Sequence, residues 1–224
     1  MGITSATRVA VPISPRLIAR SISVAAGTTT VWLVHCVALK LFDRRAALTA
    51  AFFLAVAALH VRDSHFGVPD VTATCLAVAS FLWTCRFIAS DRLRDLMISA
   101  AFAGAAASTK YNLALIAVPA ILAIVTAGDG RSLVIREAAR RIAAYAAIAA
   151  VAFCVGSPYV LVEWRVFAHG VSEISDHLRD GHLVASGPTW SVHFFSTLWY
   201  GLGWPLLLTG VGGLVSYFVK SHRA

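Results

Sequence analysis

Residues 60–70, which read HVRDSHFGVPD, concentrate side chains that could do chemistry. The stretch holds two acids, two histidines and an arginine, although apolar runs flank it on both sides. Gly67 and Pro69 are predicted to end one helix and begin the next, since proline fits the first helical turn. Asp70 then falls in that first turn, where the helix dipole stabilises its ionised form. Capping a helix requires only one acid, so this density of charge indicates a functional site.

Each of these residues also has a purely structural interpretation. Asp70 could simply cap its helix, and Asp63 could pair with Arg62 or another arginine at the level of the lipid headgroups. His60 and His65 could be interfacial residues that are half apolar and half hydrated. The sequence leaves these alternatives open.

A second candidate wall of the site is the segment 108–120, STKYNLALIAVPA, where Lys110 and Tyr111 stand between two apolar helices. An ammonium group at this depth would attract a lipid-linked phosphate, or it could extend to the headgroups. A lysine between two membrane helices is costly enough to indicate function. Its position predicts a hairpin, because a single helix over 95–127 would overrun one bilayer.

The third candidate wall is an outer segment predicted over residues 163–193. Apolar residues recur there at i, i+4, i+7 and i+11, which predicts an amphipathic helix on the membrane surface. These residues are Phe167, Val171, Ile174 and Leu178. Acids and histidines occupy the other face, for which ordinary solvation is the alternative explanation. His182 follows this helix and leads towards the last apolar span.

The chain that must position these residues has 224 residues, of which 58% are hydrophobic and 13% are charged. The apolar residues come in long blocks rather than in stripes, which is typical of an all-α membrane protein. We predict a single transmembrane domain over 1–224 with about seven transmembrane helices. The predicted spans are 18–41, 46–60, 68–90, 95–109, 111–127, 139–161 and 194–218.

The net charge of +8 is distributed in a way that indicates membrane topology rather than nucleic-acid binding. Basic residues are more frequent in one set of loops, which predicts an outer N-terminus and a cytoplasmic C-terminus in the cell (inner or plasma) membrane. The three candidate walls then share the outer face, whereas the acid–base pairs at 43–45 and 90–95 are expected to be solvated inner connectors. Four cysteines in apolar spans, without CxxC spacing, predict buried thiols rather than metal ligands.

The order of these motifs resembles the family 39, or protein-mannosyltransferase-like, glycosyltransferases of the GT-C fold, which include aminoarabinose transferases. Residues 16–71 are similar to the early spans of that family, with the SHF motif and the following Asp70 before an apolar span. The GAAASTKYN turn, and the GSPY turn followed by a surface helix, are also similar. The resemblance covers nearly the whole chain, and the order of the motifs is its most specific feature.

The resemblance implies a GT-C-like helical bundle that transfers a sugar from a polyprenyl-phosphate donor, on the outer face, to a protein, lipid or glycan. Asp70 matches an acid of the family's site and would be catalytic. Lys110 and Arg62 would bind the donor phosphate. The residues that would line the sugar or acceptor pocket are His65, Tyr111, Asp63 and His182.

The family's main catalytic acid follows a first membrane helix that has no counterpart in this sequence. We therefore expect a piece of such a transferase, truncated at both ends, that needs the missing part for activity. Two competing hypotheses are a transporter or channel fragment, since ionisable residues in membranes also mark substrate pathways, and a non-catalytic membrane scaffold. No cofactor is indicated: the outer histidines allow a divalent metal, but no HxxH or HExxH spacing requires one.

Overall fold

The computed structural model of the chain describes residues 14–126, 135–180 and 198–221. Over these ranges the protein is all-α, with no β-strand, as the sequence predicts. The helices are α1 (Pro15–Leu41), α2 (Arg44–Val56), α3 (Ala58–Phe66), α4 (Pro69–Ser90), α5 (Leu93–Thr109), a 3-10 helix (Tyr111–Ile116), α6 (Ala117–Thr126), α7 (Ile135–Gly156), α8 (Tyr159–Val162), α9 (Trp164–Asp180), α10 (Trp199–Leu202) and α11 (Trp204–Ser221).

Helices occur at all seven positions predicted for spans, but fewer of them are long enough to cross a membrane. Three helices are both long and apolar enough, namely α1, α4 and α7. Helices α2 and α3 add a fourth span if they are taken together, although the pair is bent by 56° at their junction. Helix α5 has 17 residues, and Tyr111–Thr126 and Trp204–Ser216 are shorter apolar helices. The described residues therefore support three to four spans, because a complete crossing needs about 20 apolar residues.

Two breaks in the helices shape one end of the bundle. The chain bends at Ala57, which is buried and has an extended backbone (φ −64°, ψ 121°) although no proline or glycine stands there. It also breaks at Lys110, whose extended backbone (φ −151°, ψ 112°) separates α5 from the 3-10 helix. Beyond that break, Ala120, Ala123 and Ile124 of α6 return to pack in one core cluster with α5. The predicted hairpin at Lys110 is confirmed.

Helix α1 runs alongside α4 in the same direction. Near one end, the hydroxyl of Ser23 donates to the carbonyl of Val68 over 3.4 Å. Further along, Leu33 packs against Ala79 and Leu82 of α4. This register brings the start of α1 to the start of α4, where the candidate site lies.

Small and hydroxylated residues hold α4, α5 and α7 close together. The Ser99 hydroxyl lies 3.1 Å from the Ser80 hydroxyl and 2.9 Å from the Thr84 hydroxyl, and all three residues are fully buried. Gly104 of α5 lies so close to α7 that a Cβ there would collide with the backbone carbonyl of Ala149. Membrane helices associate through such close packing and hydrogen bonding, since lipid supplies no hydrophobic driving force between them.

The connection between α4 and α5 differs from the expectation of a solvated loop. Asp95 is buried, with only 3% of the residue exposed. Its carboxylate accepts a hydrogen bond of 2.8 Å from the Ser90 hydroxyl. Asp91 is exposed, but it accepts from Arg141 of α7 over 2.6 Å. The acids at 90–95 therefore fasten three helix ends to one another.

Candidate functional site

The helix boundary inside residues 60–70 forms as the sequence predicts. Helix α3 ends at Phe66, and Gly67 follows in the left-handed conformation with φ 68°. That conformation is strained for residues with a Cβ, and a Cβ at Gly67 would also lie 3.1 Å from that of Ala19. Pro69 then begins α4, so Asp70 lies in its first turn. The local sequence thus places Asp70 at the start of α4.

Asp70 forms an ion pair with Lys110, which comes forty residues later in the chain. The ammonium of Lys110 donates to Oδ1 of Asp70 from the break between α5 and the 3-10 helix. Both side chains are about half exposed, at 49% for Asp70 and 47% for Lys110. The structure therefore joins two of the three walls through a pair that remains open to a ligand.

A cleft of about 310 Å³ lies beside this pair. Its polar lining consists of His60, Asp63, Asp70 and Thr74. Asp63 accepts a hydrogen bond from Nε of Arg62 over 2.8 Å, and its side chain is 24% exposed. Arg62 is itself 62% exposed, so it lies at the rim and is tied to Asp63 rather than to Asp70. Two carboxylates and an imidazole thus line one side of a small cleft whose other walls are apolar.

His60 and Thr74 were not among the residues predicted for the site. Helical spacing could have indicated them, because each lies one turn from a predicted acid on the same helix face. His60 lies one turn before Asp63 on α3, and Thr74 lies one turn after Asp70 on α4. The ring of His60 is held by a bond of 3.2 Å from Nε2 to the carbonyl of Gly27 on α1. Its other face lines a neighbouring groove, so His60 separates the two spaces.

Helix α10 closes the cleft from a distant part of the chain. Gly201 and Leu202 line it, and a Cβ at Gly201 would lie 3.1 Å from Leu59 of α3. No local feature of the sequence indicates this contact, because more than 130 positions separate the two segments. The cleft is therefore a product of tertiary packing.

His65 is turned away from the Asp70 cleft. Its Nδ1 donates to the carbonyl of Val61 over 2.6 Å, and its ring lines a groove of about 640 Å³ between α1, α2 and α3. His35 and Trp32 of α1 line the same groove. The structure thus separates His65 from the two carboxylates that precede and follow it.

Tyr111 also faces another space. Its ring packs edge-on against Phe167 of α9, with centroids 5.3 Å apart, and tilts against Phe153 of α7 at 6.2 Å. These aromatic residues line an apolar groove of about 400 Å³ between α5, the 3-10 helix, α6 and α7. Most of the remaining lining is alanine, with Tyr145 at its deep end. Lys110 consequently stands between a polar cleft and an apolar groove.

Helix α9 confirms the predicted amphipathic helix over its first part. Phe167 and Val171 line the apolar groove, as expected for the apolar face. On the other side, Nδ1 of His169 lies 3.4 Å from Oε1 of Glu173, and both side chains are exposed. The predicted segment 163–193 extends beyond this helix, and His182 lies outside the described residues.

Metal binding finds no support in the arrangement of side chains that the structure describes. Over residues 14–126, 135–180 and 198–221, no three His, Cys, Asp or Glu residues come together as metal ligands would. The four cysteines are free thiols, and Cys85 is buried as predicted, whereas Cys36, Cys75 and Cys154 are only partly buried. The chemistry available at the cleft is that of carboxylates, an imidazole and an ammonium group.

Comparison with known proteins gives one match. The sequence model of the family described as dolichyl-phosphate-mannose-protein mannosyltransferase matches residues 13–161. That range contains α1 to α7 and therefore both Asp70 and Lys110. No curated protein and no solved structure matches the chain.

Proposed function

Because the chain belongs to the dolichyl-phosphate-mannose-protein mannosyltransferase family of GT-C glycosyltransferases, we propose that it transfers a sugar from a polyprenyl-phosphate donor to a hydroxyl acceptor. The acceptor is a protein, lipid or glycan, and the reaction takes place on the outer face of the cell membrane. The observation that carries the proposal is the position of Lys110, whose ammonium pairs with Asp70 between a polar cleft and an apolar groove.

The donor has three chemical parts, and each finds matching surroundings here. Its phosphate binds Lys110, since hydrogen bonds between an ammonium group and a phosphate are charge-assisted and therefore strong. Its prenyl chain enters the alanine-lined groove that begins at Tyr111. Its sugar occupies the cleft beside Asp63 and Asp70. Arg62 supplies a second cation at the rim, where its exposed guanidinium can reach a phosphate.

Binding of the donor changes the partner of Lys110 and thereby prepares Asp70. In the free protein the ammonium holds the carboxylate. When the phosphate takes over the ammonium, Asp70 becomes free to accept the proton of the acceptor hydroxyl. The acceptor oxygen then bonds to the anomeric carbon while the bond from that carbon to the phosphate oxygen breaks. Polyprenyl phosphate leaves, and Lys110 neutralises its developing charge.

The remaining predicted residues have more distant roles. Tyr111 borders the groove for the prenyl chain, and His65 borders the neighbouring groove of α1 to α3. His182 is proposed as a contact of the sugar or acceptor on the basis of the resemblance alone. We propose that all seven predicted spans cross the membrane as one domain, with the short ones tilted or extended into the interface.

Transport is the second candidate function, and the placement of the acids disfavours it. In the described spans and in α5 the acids lie near helix ends: Asp70, Asp95 and Glu137 in the first turns of α4, α5 and α7, and Asp63 in the last turn of α3. A substrate pathway through the membrane would require ionisable groups near mid-depth. Transfer at one face needs acids at one end of the bundle, which is where Asp63 and Asp70 lie.

The test separates donor binding from sugar transfer. Membranes containing the chain are incubated with a labelled polyprenyl-phosphate mannose, and bound donor and transferred sugar are measured independently. We expect Lys110→Gln to weaken donor binding by about tenfold to a hundredfold, since a hydrogen bond to a charged group is lost. We expect Asp70→Asn to retain donor binding and to lose transfer.

Arg20→Gln and Asp176→Asn are the matched controls, because both residues are exposed and lie outside the cleft. They should leave binding and transfer unchanged. Failure of the unaltered chain to bind the donor would contradict the proposal. Binding that no acceptor converts to transfer would instead favour a scaffold.

A further inference from the structure

The end of the bundle opposite Lys110 carries a surplus of positive charge. Arg141 of α7 bonds to Asp91 after α4, so the start of α7 lies at the same end as the α4–α5 connection. Helix α5, with 17 residues at about 1.5 Å each, separates this end from Lys110 by about 25 Å. Among the described residues from α1 to α7, the basic residues at this end are Lys40, Arg44, Arg45, Arg86, Arg92, Arg94, Arg136, Arg140 and Arg141. The acids in the same described part are Asp43, Asp91, Asp95 and Glu137.

One face of α7 combines two of these arginines with an apolar floor. Arg136, Ala139, Arg140 and Ala143 are all exposed and follow the spacing i, i+3, i+4 and i+7, so they share one side of the helix. We call these four residues the arginine face. Together with Glu137 they border an open groove of about 740 Å³. Ala147 and Val151 continue the same side as an exposed apolar strip towards the middle of the helix.

Among the described residues, the arginines at the arginine face outnumber their carboxylate partners by one. Glu137 accepts two hydrogen bonds from Arg140, over 2.9 and 3.0 Å, and one from Arg141 over 3.1 Å, while Asp91 accepts from the other side of the Arg141 guanidinium. Arg140 keeps its remaining N–H groups for another partner. Arg136 has no carboxylate within 4.0 Å among the described residues. Three guanidinium groups thus share two carboxylates, which leaves the charge that a single phosphodiester would neutralise.

We propose that the arginine face binds an anionic phospholipid, with its phosphate between Arg136 and Arg140 and an acyl chain along Ala139, Ala143 and Ala147. Arginine suits this role because its planar guanidinium donates two hydrogen bonds to one phosphate. A soluble anion would use the arginines but not the apolar strip below them, which is why the occupant is a lipid. The lipid is structural and distinct from the sugar donor, whose phosphate belongs at the other end of the bundle.

Native mass spectrometry of the chain in a neutral detergent tests this site, with phosphatidylglycerol titrated against phosphatidylcholine. The double variant Arg136→Gln/Arg140→Gln is expected to bind phosphatidylglycerol about thirtyfold more weakly, since each arginine near an anionic lipid contributes roughly a factor of five. Arg16→Gln/Arg20→Gln is the matched control. These two arginines are also exposed, are also four residues apart, and also begin at the second position of a helix, α1.

The control should keep the affinity of the unaltered chain. An equal loss in both double variants would show attraction by net charge and would overturn the site. Inorganic phosphate that competes as well as phosphatidylglycerol would assign the arginines to a soluble anion instead. Glu137→Gln is a further test that keeps both arginines of the site. It removes one negative charge and frees Arg140 from its carboxylate partner. This variant should bind phosphatidylglycerol at least as tightly as the unaltered chain, and weaker binding would contradict the proposal.

Discussion

At the scale of single residues, the ion pair between Lys110 and Asp70 is better explained by function than by stability. Both side chains are about half exposed, and exposed ion pairs contribute between about 0 and 1 kcal/mol. A gain of this size does not account for a pair that joins two separate helix ends at the edge of a cleft. We therefore expect the exposed ammonium group to bind a ligand.

The stability of the Lys110→Gln and Asp70→Asn variants tests whether the pair is structural. Each should lower the free energy of unfolding by no more than about 1 kcal/mol, because water and headgroups can replace a half-exposed partner. Thermal unfolding in detergent would measure it. A loss of several kcal/mol in both variants would mean that the pair holds α4 to the hairpin and is structural.

The structure gives Asp63 and Asp70 partners of different kinds. Asp63 is bound by its neighbour Arg62, which is a local contact that the sequence already allowed. Asp70 is bound by a residue from another hairpin, so a ligand that displaces Lys110 changes the state of Asp70 alone. This difference is the reason to propose Asp70, rather than Asp63, as the group that accepts the proton.

At the scale of the elements, the site depends on how closely α5 packs against its neighbours. Gly104 permits α5 to touch the backbone of α7, and buried hydroxyls join α5 to α4. Lys110 stands at the end of α5, one residue after it. A shift of α5 would therefore move the ammonium relative to Asp70 and change the groove that Gly104 helps to line.

Replacement of Gly104 by alanine tests this packing. The added Cβ would collide with the carbonyl of Ala149, and neither backbone can yield easily, so we expect a loss of about 1 to 3 kcal/mol. Gly170→Ala on α9 is the control, because no heavy atom lies within 4 Å of its Cβ position. Alanine favours helix there, so the control should be neutral or stabilising by up to about 1 kcal/mol. Comparable losses in the two variants would disprove close packing at Gly104.

At the scale of the whole molecule, charge is distributed unevenly between the two ends of the bundle. The end that holds the candidate site has acids and bases in the cleft and on α9, whereas the other end has a surplus of arginines. Membrane proteins keep such basic surpluses on the cytoplasmic side. The asymmetry supports the proposed orientation, in which sugar transfer takes place outside and the arginine face meets the inner leaflet.

Cysteine labelling tests this orientation. In a variant without the four natural cysteines, Ser172→Cys on α9 and Arg94→Cys at the start of α5 place one exposed thiol at each end. A membrane-impermeant maleimide added to intact cells should label position 172, and it should reach position 94 only after the membrane is opened. The reverse pattern would place the candidate site in the cytoplasm.

The sequence by itself determined the features that depend on neighbouring residues. Long apolar blocks identified a helical membrane protein, Gly67 and Pro69 marked the end of α3 and the start of α4, and the period of Phe167 and Val171 identified α9. The break at Lys110 also followed from local sequence, because one helix through it would be too long for a bilayer. Backbone sterics and hydrophobic periodicity act over a few residues, so they can be read from a single chain.

Tertiary structure alone decided which of the candidate residues meet. It paired Asp70 with Lys110, turned His65 and Tyr111 into other grooves, and buried Asp95. It also brought Gly201 to the cleft from the far end of the chain, and it bent the chain at Ala57 without a local signal. These outcomes depend on which helices lie side by side and at what depth. That arrangement is set by the sum of many weak contacts between distant segments, so no short stretch of sequence encodes it.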